Sequence, residues 1–102
     1  MNENVWITSA ADAGSVAFAT VPNPATNVMR LGDVILSANG ATTFTLTVGT
    51  YVQKVYLPSA DTVILPRGIC GNGGPGSIAS SGGSVSWSVT IPWNYDIPFL
   101  HP

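Results

Sequence analysis

Two stretches of the chain alternate strictly between apolar and hydroxyl-bearing residues. They are TFTLTV at 43–48 and SVSWSVTI at 84–91, in which every second position is Ser or Thr. Side chains two residues apart share one face of a β-strand, so this alternation predicts two half-buried strands. Each strand is expected to bury its apolar face and to turn a hydroxyl-bearing face outward.

Further apolar runs, separated by turn signals, predict an all-β protein. The turn signals recur about every 8–12 residues, as in sandwiches and barrels, and nowhere do apolar residues follow helical spacing. We therefore expect a single antiparallel β-sandwich or jelly-roll-like barrel of about seven or eight short strands. The Asn39-Gly40 pair predicts a tight hairpin turn. The additional strands are predicted in NVWIT (4–8), SVAFATV (15–21), NVMRL (27–31), DVILSA (33–38), TYVQKVYL (50–57) and DTVILP (61–66).

The length of 102 residues indicates one domain with terminal segments of different character. Residues 1–12 are predicted to form an N-terminal arm and first strand, and residues 13–91 the sandwich. Within the sandwich, residues 68–83 contain seven glycines and predict a long mobile loop or an insertion between two core strands. Residues 92–102 interleave aromatic and aliphatic residues with three prolines, which predicts an extended C-terminal arm.

A glycine pattern inside that loop, CGNGGPG at 70–76, has the spacing G-x-G-x-x-G found in dinucleotide-binding turns. Such a turn must open a helix whose amide groups meet the phosphates. The residues that follow, SIASSGGSVSWS, are poor helix formers, and Pro75 lacks an amide proton. The pattern therefore indicates a flexible loop, and no cofactor is expected.

Charge is scarce throughout the chain. Only 8% of residues are charged, three of them basic, and the net charge is −2. Three scattered bases cannot neutralise a nucleic-acid backbone, so no nucleic-acid partner is expected. No apolar run approaches the ~20 residues of a membrane span. The N-terminus has no secretory pattern and Cys70 is the only cysteine, so we expect a soluble protein retained where it is made.

Residues with catalytic or metal-binding chemistry do not form a recognisable constellation. His101 is the only histidine and is the penultimate residue, and together with Cys70 it cannot make a common zinc site. The five acidic residues lie beside turn signals, where Asp commonly bonds nearby amides. The chain is therefore expected not to be an enzyme and not to bind metal. A third interpretation, a small hydrolase, would require a cleft that contains carboxylates with shifted pKa values.

The outward faces and the chain ends predict protein association. Hydroxyl groups cost less to desolvate than charges and can bond across an interface, so a symmetric homo-oligomer is expected. An alternative is a carbohydrate- or receptor-binding module, in which Trp93 and Tyr95 stack on a sugar while Asn94 and Asp96 bond its hydroxyls. The partner-docking residues predicted for the first interpretation are Trp6, Trp93, Tyr95, Ile97, Phe99 and Leu100.

The run FTLTVGTYVQKVYLPSADTVILPRGI (44–69), the Gly/Ser loop and GSVSWSVTIP (83–92) resemble small all-β proteins of tailed-phage virions. The resemblance is to capsid decoration, or cement, proteins, and it covers residues 15–91 through short Ser/Thr-rich strands, few charges and glycine loops. It implies a structural protein made in the host cytoplasm that acts at the virion surface. It further implies a trimer that stabilises a capsid lattice. No site residues are carried over from the family.

Overall fold

The structure, a computed structural model, describes residues 4–19, 28–72 and 75–96, and these residues form two antiparallel sheets. The predicted all-β class is confirmed, with ten strands and no helix in the described ranges. In chain order the strands are β1 (Asn4–Ala10), β2 (Gly14–Ala19), β3 (Val28–Leu31), β4 (Val34–Ala38), β5 (Thr42–Val48), β6 (Tyr51–Leu57), β7 (Asp61–Leu65), β8 (Cys70–Asn72), β9 (Gly76–Ser80) and β10 (Trp87–Asp96).

The six-stranded sheet, called sheet A, is organised around the long strand β10. β1 pairs along one edge of β10, and β4 and β3 pair one after the other along its opposite edge. Beyond them, β7 pairs with β4 and β8 pairs with β3. Between β3 and β4, the Gly32 N–H donates to the Pro92 carbonyl at 2.9 Å. Sheet A is therefore interrupted at the position of Pro92 along β10. There, Gly32 separates β3 from β4, and the segment 66–69 separates β7 from β8.

The four-stranded sheet, called sheet B, has the order β2-β9-β5-β6. Its β5–β6 hairpin turns through Gly49 and Thr50, since Val48 pairs with Tyr51. Gly49 has φ 61°, whereas Thr50 keeps a negative φ. Positive φ at the first central position only is the pattern of a type II′ turn, which matches the twist of a hairpin.

The core lies between the inner faces of the two sheets. The apolar positions of 43–48, namely Phe44, Leu46 and Val48, are fully buried, as the alternation predicts. The Phe44 ring meets the Trp87 ring of sheet A edge to face, with centroids 6.0 Å apart. Such aromatic pairs add stabilisation beyond their buried area, so this contact joins the two sheets.

The predicted Asn39-Gly40 hairpin is wrong, because the strands on either side belong to different sheets. β4 lies in sheet A and β5 in sheet B, and neither Asn39 nor Gly40 has a positive φ. Instead, the Asn39 N–H donates to the Ser86 carbonyl and the Asn39 Oδ1 accepts from the Ser86 N–H. Asn39 therefore bonds to the residue that precedes β10, at the point where the chain passes from one sheet to the other.

The predicted long mobile loop over 68–83 is also wrong, because it contains β8 and β9, which brings the described strands to ten. β9 lies inside sheet B, between β2 and β5, and Ile78 in its middle is completely buried. Glycine and serine elsewhere in the segment lower its average hydrophobicity. One well-placed isoleucine and two strand neighbours are nevertheless sufficient to hold it in the sheet.

The predicted C-terminal arm over 92–102 begins too early. β10 continues to Asp96, and its segment from Trp93 to Asp96 pairs with β3. Pro92 lies at the interruption of sheet A, where its carbonyl accepts the bond from the Gly32 N–H. Residues 97–102 lie outside the described residues.

Candidate interaction surface

The outer face of sheet A carries a row of isoleucines across four strands. Ile7 of β1 and Ile35 of β4 lie on either side of Thr90 in β10. Ile64 of β7 lies next to Ile35. The three isoleucines are 70%, 38% and 61% exposed in chain order. Neighbouring strands are about 4.8 Å apart, so this isoleucine row is about 15 Å long.

Most of the residues that flank the isoleucine row are uncharged; the exception is Asp33, which is exposed two residues before Ile35 on the same face. On one side, Val5 is 57% exposed and pairs with Pro92. On the other side, two residues further along each strand, the strand register aligns four hydroxyl groups. Within this group, Ser37 Oγ lies 3.0 Å from Thr62 Oγ1. The isoleucine row, Val5, Pro92 and these hydroxyls are called the docking face. The aligned hydroxyl residues are Ser9, Ser88, Ser37 and Thr62.

The outer face of sheet B differs in composition. Thr45 and Thr47 of β5 lie beside Ala79 and Ser77 of β9, which are small and half-exposed. Lys54 of β6 pairs with Thr45 and brings the only basic side chain of this face. Apolar exposure is confined to the edge strand β6, where Val52 and Tyr56 are 55% and 68% exposed. This threonine face therefore has no apolar row crossing its central strands.

The structure places three predicted docking residues in the protein body. Trp93, Tyr95 and Trp6 are half-buried and pack against the core. The Trp6 ring lies 5.8 Å from the Phe18 ring of sheet B, measured between centroids. These three aromatics therefore help hold the sheets together and do not belong to a free arm. The other predicted docking residues, Ile97, Phe99 and Leu100, lie outside the described residues.

The predicted glycan site is not assembled as a set. Trp93 and Tyr95 lie on the face of β10 that packs against the core. Asn94 lies between them in sequence and so projects to the opposite face of the strand. Asp96 is the last described residue of β10, and its side chain lies outside the description. The two aromatic rings and the Asn94 amide therefore do not converge on one ligand.

A pocket of about 250 Å³ opens at the interruption in sheet A. Asn94, Arg30 and Cys70 form one cross-strand row on its wall, because Asn94 pairs with Arg30 and Arg30 with Cys70. Arg67, from the β7–β8 connection, lines the pocket as well. The Asn94 Oδ1 is buried and has no hydrogen-bond partner among the described residues.

Two glycines of the G-x-G-x-x-G pattern serve close packing, Gly71 between the two sheets and Gly76 between neighbouring strands of sheet B. A Cβ added to Gly71 would lie 1.9 Å from the Val48 carbonyl oxygen, and one added to Gly76 would lie 2.3 Å from the Phe18 ring. Gly73 lies outside the described residues. Gly71 lies in β8, and Gly76 is the first residue of β9, so Gly76 opens a strand and not a helix. This context lacks the helix terminus that binds dinucleotide phosphates.

One carboxylate joins the two sheets through hydrogen bonds. Asp12 Oδ1 accepts from the backbone N–H groups of Ser84 and Ala13, each at 2.8 Å. These bonds stabilise the charged form and hold the pKa of Asp12 below its ordinary value of 3.8, the bond from Ser84 having the larger effect. The Asp12 carbonyl also accepts from Trp87 Nε1 at 2.9 Å. Asp12 therefore fixes the β1–β2 turn against the segment that enters β10.

The described part of the chain contains few other groups that could bind a metal ion, cross a membrane or react. Among residues 4–19, 28–72 and 75–96, no three His, Cys, Asp or Glu side chains cluster in a way that could hold a metal ion. Those same ranges contain no helix long and apolar enough to cross a membrane. Cys70 is an exposed free thiol. What the described surface offers is therefore an apolar face and one basic pocket.

Neither the docking face nor the basic pocket was predicted from the sequence. Runs such as DVILSA and DTVILP are apolar at consecutive positions, so their pattern does not show which isoleucine points outward. Arg30 and Arg67 come together only because β3 pairs with β8. The available signal was the middle apolar residue of each three-residue run, Ile35 and Ile64, since a strand of a two-sheet sandwich buries only one face.

Comparisons with known proteins address the fold. No protein-family model matches the chain, and no curated protein sequence matches it. The crystal structure of PirA is similar with a TM-score of 0.50 and 14% identity, covering 90% of this chain and 93% of PirA. At this identity the similarity shows the fold alone.

Two further structures align more weakly. The capsular polysaccharide assembling protein CapF from Staphylococcus aureus gives a TM-score of 0.43 at 11% identity, covering 86% of this chain and 22% of CapF. The structure of the infectious bursal disease virus Gx strain gives a TM-score of 0.46 at 12% identity, covering 99% of this chain and 33% of the viral chain. Neither similarity supports a functional argument.

Proposed function

We propose that this protein is a non-enzymatic structural protein that works as a symmetric homo-oligomer, with each subunit burying its docking face against another copy. The observation that carries the proposal is the isoleucine row, in which Ile35 and Ile64 are exposed side by side and Ile7 is exposed on the other side of Thr90. Exposed apolar residues are ordinary when scattered, but several aligned on one sheet face are typical of an interaction site.

A second copy of this chain is the partner that the charges favour. None of the residues that make up the docking face is ionisable. Two such faces meet without repulsion and without desolvating an ion, which would cost several kcal/mol. Serine and threonine hydroxyls beside the row can donate or accept hydrogen bonds across the contact.

Burial of the isoleucine row supplies enough free energy to matter. Each isoleucine that passes from full exposure to full burial stabilises a contact by roughly 1.5–3 kcal/mol. Ile7, Ile35 and Ile64 are 70%, 38% and 61% exposed, so burying them contributes somewhat less than two fully exposed isoleucines would, roughly 2.5–5 kcal/mol per subunit. This offsets part of the entropy lost on association, which is roughly 4–15 kcal/mol. Repetition of the contact in a closed assembly adds avidity.

We further propose that the assembly is a decoration or stabilising protein on the surface of a virion. The resemblance of the strands and glycine loops to phage decoration proteins supports this setting, as does a sandwich with few charged residues. Residues Ile97, Phe99 and Leu100 then serve as the arm that docks on the capsid lattice. Truncation after Asp96 is the matching test of the arm, because residues 92–96 belong to β10.

Thiol labelling of two engineered cysteines tests the oligomer in solution. In a Cys70→Ser background, Ser88→Cys reports on the docking face and Thr45→Cys on the threonine face. Ser88 is exposed in the single chain and Thr45 is half-exposed. A monomer would therefore label faster at position 88. The proposal predicts the reverse order in the native protein and equal rates in denaturant.

Gold-labelled antibody against this chain tests the virion setting by electron microscopy. The proposal predicts labelling on the surface of intact particles, and lower labelling when the chain is truncated after Asp96. A reversed thiol-labelling order without particle labelling would support the oligomer and refute the virion setting.

A further inference from the structure

Strand β1 (Asn4–Ala10) has one edge to which no described strand bonds. Its other edge pairs with β10 over all seven residues of the strand, without a register shift. No further strand of the described ranges pairs with β1. An open strand edge presents a row of unpaired backbone N–H and C=O groups, which can bond to a strand of another chain.

The position of Pro92 shows which residues of β1 present these groups. The Pro92 carbonyl accepts from the Gly32 N–H, so it points toward β3 and β4 and away from β1. Val5 pairs with Pro92, so the Val5 N–H and C=O point away from β10, as in every non-hydrogen-bonded pair of an antiparallel ladder. The register is regular along β1, so the same holds for Ile7 and Ser9. The backbone groups of these three residues therefore point to the free edge.

The other edge strands in the described ranges each carry a feature that discourages pairing with another chain. In sheet B, β2 has a register shift next to Ala17, and β6 carries Lys54 in its middle. In sheet A, β7 begins with Asp61 and is followed by Pro66, and β8 has only three residues. Bulges, charges, prolines and short strands are the usual protection of sheet edges. β1 has none of these features, because its sequence NVWITSA contains neither a charge nor a proline.

A second copy of β1 complements this edge. In an antiparallel pair centred on Ile7, Val5 of each copy lies opposite Ser9 of the other, so all three outward residues bond. Each hydrogen-bonded pair exchanges two bonds, which gives roughly six backbone hydrogen bonds. The arrangement is self-complementary, as a two-fold axis requires. Counted in this register, Glu3 corresponds to Ala11, so the acidic residues that come just before β1 do not oppose each other.

The same pairing joins the docking faces of the two copies. Val5 and Ile7 are exposed on that face, at 57% and 70%. A two-fold axis perpendicular to the sheet keeps both docking faces on one side of the joined sheet. The two isoleucine rows then meet end to end at Ile7, and the joined row is about 34 Å long.

We propose that the free edge of β1 pairs antiparallel with the same edge of a second copy, about a two-fold axis at Ile7. This inference rests on the proposed homo-oligomer and specifies one of its contacts. Edge pairing uses backbone groups of β1, whereas burial of the docking face uses side chains of several strands. The two contacts can therefore be tested separately.

Amide hydrogen exchange of the intact protein, followed by NMR, tests the edge contact. The Val5, Ile7 and Ser9 amides point to the free edge in the single chain, so they exchange fast in a monomer and slowly when β1 pairs with a second copy. We expect them to exchange at least about a hundredfold more slowly in the native oligomer than amides of an open edge.

The outward amides of β6 supply the open-edge reference within the same protein. The Val48–Tyr51 pair closes a two-residue turn and is therefore hydrogen-bonded. The N–H groups of Val52, Lys54 and Tyr56 consequently point away from β5. They should keep the rate of an exposed strand edge.

Ser9→Pro and Ser9→Ala form a matched pair of variants. Proline removes the N–H of position 9, which points only to the free edge, whereas alanine keeps it. Ser9→Pro should return the Val5 and Ile7 amides to the reference rate, and Ser9→Ala should leave them slow. Urea unfolding checks that Ser9→Pro is folded. Val5→Pro removes an outward N–H at the other end of the same pair and predicts the same result for Ile7.

Three results would overturn the proposal. The first is exchange of the Val5, Ile7 and Ser9 amides at the reference rate in a protein that is oligomeric; copies would then meet through the docking face alone, and the proposed function would stand. The second is slow exchange in a protein with the mass of one chain, because the edge is then covered by the same chain. The third is slow exchange that survives both proline variants. Reference-rate exchange in a monomer would refute the proposed homo-oligomer as well.

Discussion

The outer faces of the two sheets arise from the same strand geometry but present different surfaces. On sheet A, Ile7, Ile35 and Ile64 form a row with no charged neighbour among its cross-strand partners. On sheet B, Thr45 and Thr47 occupy the corresponding central positions, next to small residues and Lys54. The alternation of a strand decides which side chains point outward. Their chemistry then decides whether the face suits water or another protein.

Substitutions in the core and substitutions on the outer faces should affect different properties, the first the stability of the fold and the second the association of copies. The inner faces of both sheets form one apolar core, so changes there should unfold the protein regardless of its oligomeric state. Changes to Ile7 and Ile64 should alter association and leave the fold intact, because these side chains are largely exposed in the single chain. Matched substitutions on the two outer faces should therefore affect association on sheet A only.

Gly71→Ala should have the largest effect, because it disturbs the fold on which both faces depend. The new Cβ would lie 1.9 Å from the Val48 carbonyl oxygen, and backbone atoms of both sheets must move. We expect a loss of at least about 3 kcal/mol in the free energy of unfolding. Urea unfolding measures it. Gly83→Ala is the control, since its Cβ meets nothing nearer than 4.0 Å; equal effects would refute the close-packing role.

Ile7→Lys combined with Ile64→Lys should produce the next largest effect, on association. Placing two charges in the isoleucine row removes its apolar contact and adds repulsion between copies. We expect the association to weaken by about 3 kcal/mol or more, roughly a hundredfold in dissociation constant. Sedimentation equilibrium measures it.

Val52→Lys, at an exposed position on the edge of sheet B, is the matched control for that charge insertion. It should leave the dissociation constant unchanged. If Val52→Lys disrupts association as strongly as the pair on sheet A, the two faces are not distinct in the way we propose.

Ser80→Ala should have a smaller effect, confined to stability. The Ser80 and Thr42 hydroxyls lie 2.6 Å apart and are buried between β9 and β5. Thr42 Oγ1 also accepts from the Gly82 N–H. Removing the Ser80 hydroxyl should cost about 1–2 kcal/mol in thermal or urea unfolding. Ser77→Ala, on the outer side of the same strand, should cost less, and oligomer mass should not change in either variant.

Asp12→Ala should have the smallest effect, and the effect should depend on pH. The pKa of Asp12 is lowered in the folded protein, so its stabilisation is present above the ordinary value of 3.8 and is lost as pH falls through the lowered value. The melting temperatures of wild type and variant should thus differ at about pH 7 and converge near pH 2. A difference that persists unchanged in acid would exclude the charged carboxylate as its cause.

Much of the fold follows from local patterns in the chain. TFTLTV predicted a half-buried strand because its alternation is regular, and the structure buries Phe44, Leu46 and Val48. β9 was missed because Ile78 stands alone among small residues, and its burial depends on two neighbouring strands. The Asn39-Gly40 turn was misassigned because local turn chemistry does not show which sheet each strand joins.

The candidate sites could not be predicted for a related reason. The isoleucine row exists only in the pairing register of four strands, and that register is set by the whole core. The basic pocket likewise depends on β3 lying between β10 and β8. Composition correctly indicated a surface with few charges, but it could not locate the apolar or basic part of that surface.

The mass of the wild-type protein in dilute solution shows whether the docking face is buried against another copy. The single chain has a mass of 10.5 kDa. Light scattering coupled to size exclusion should give one discrete multiple of that mass, which persists on dilution and is lost when lysines replace Ile7 and Ile64. A mass of one chain at every concentration would contradict the claim that the docking face is buried against another copy.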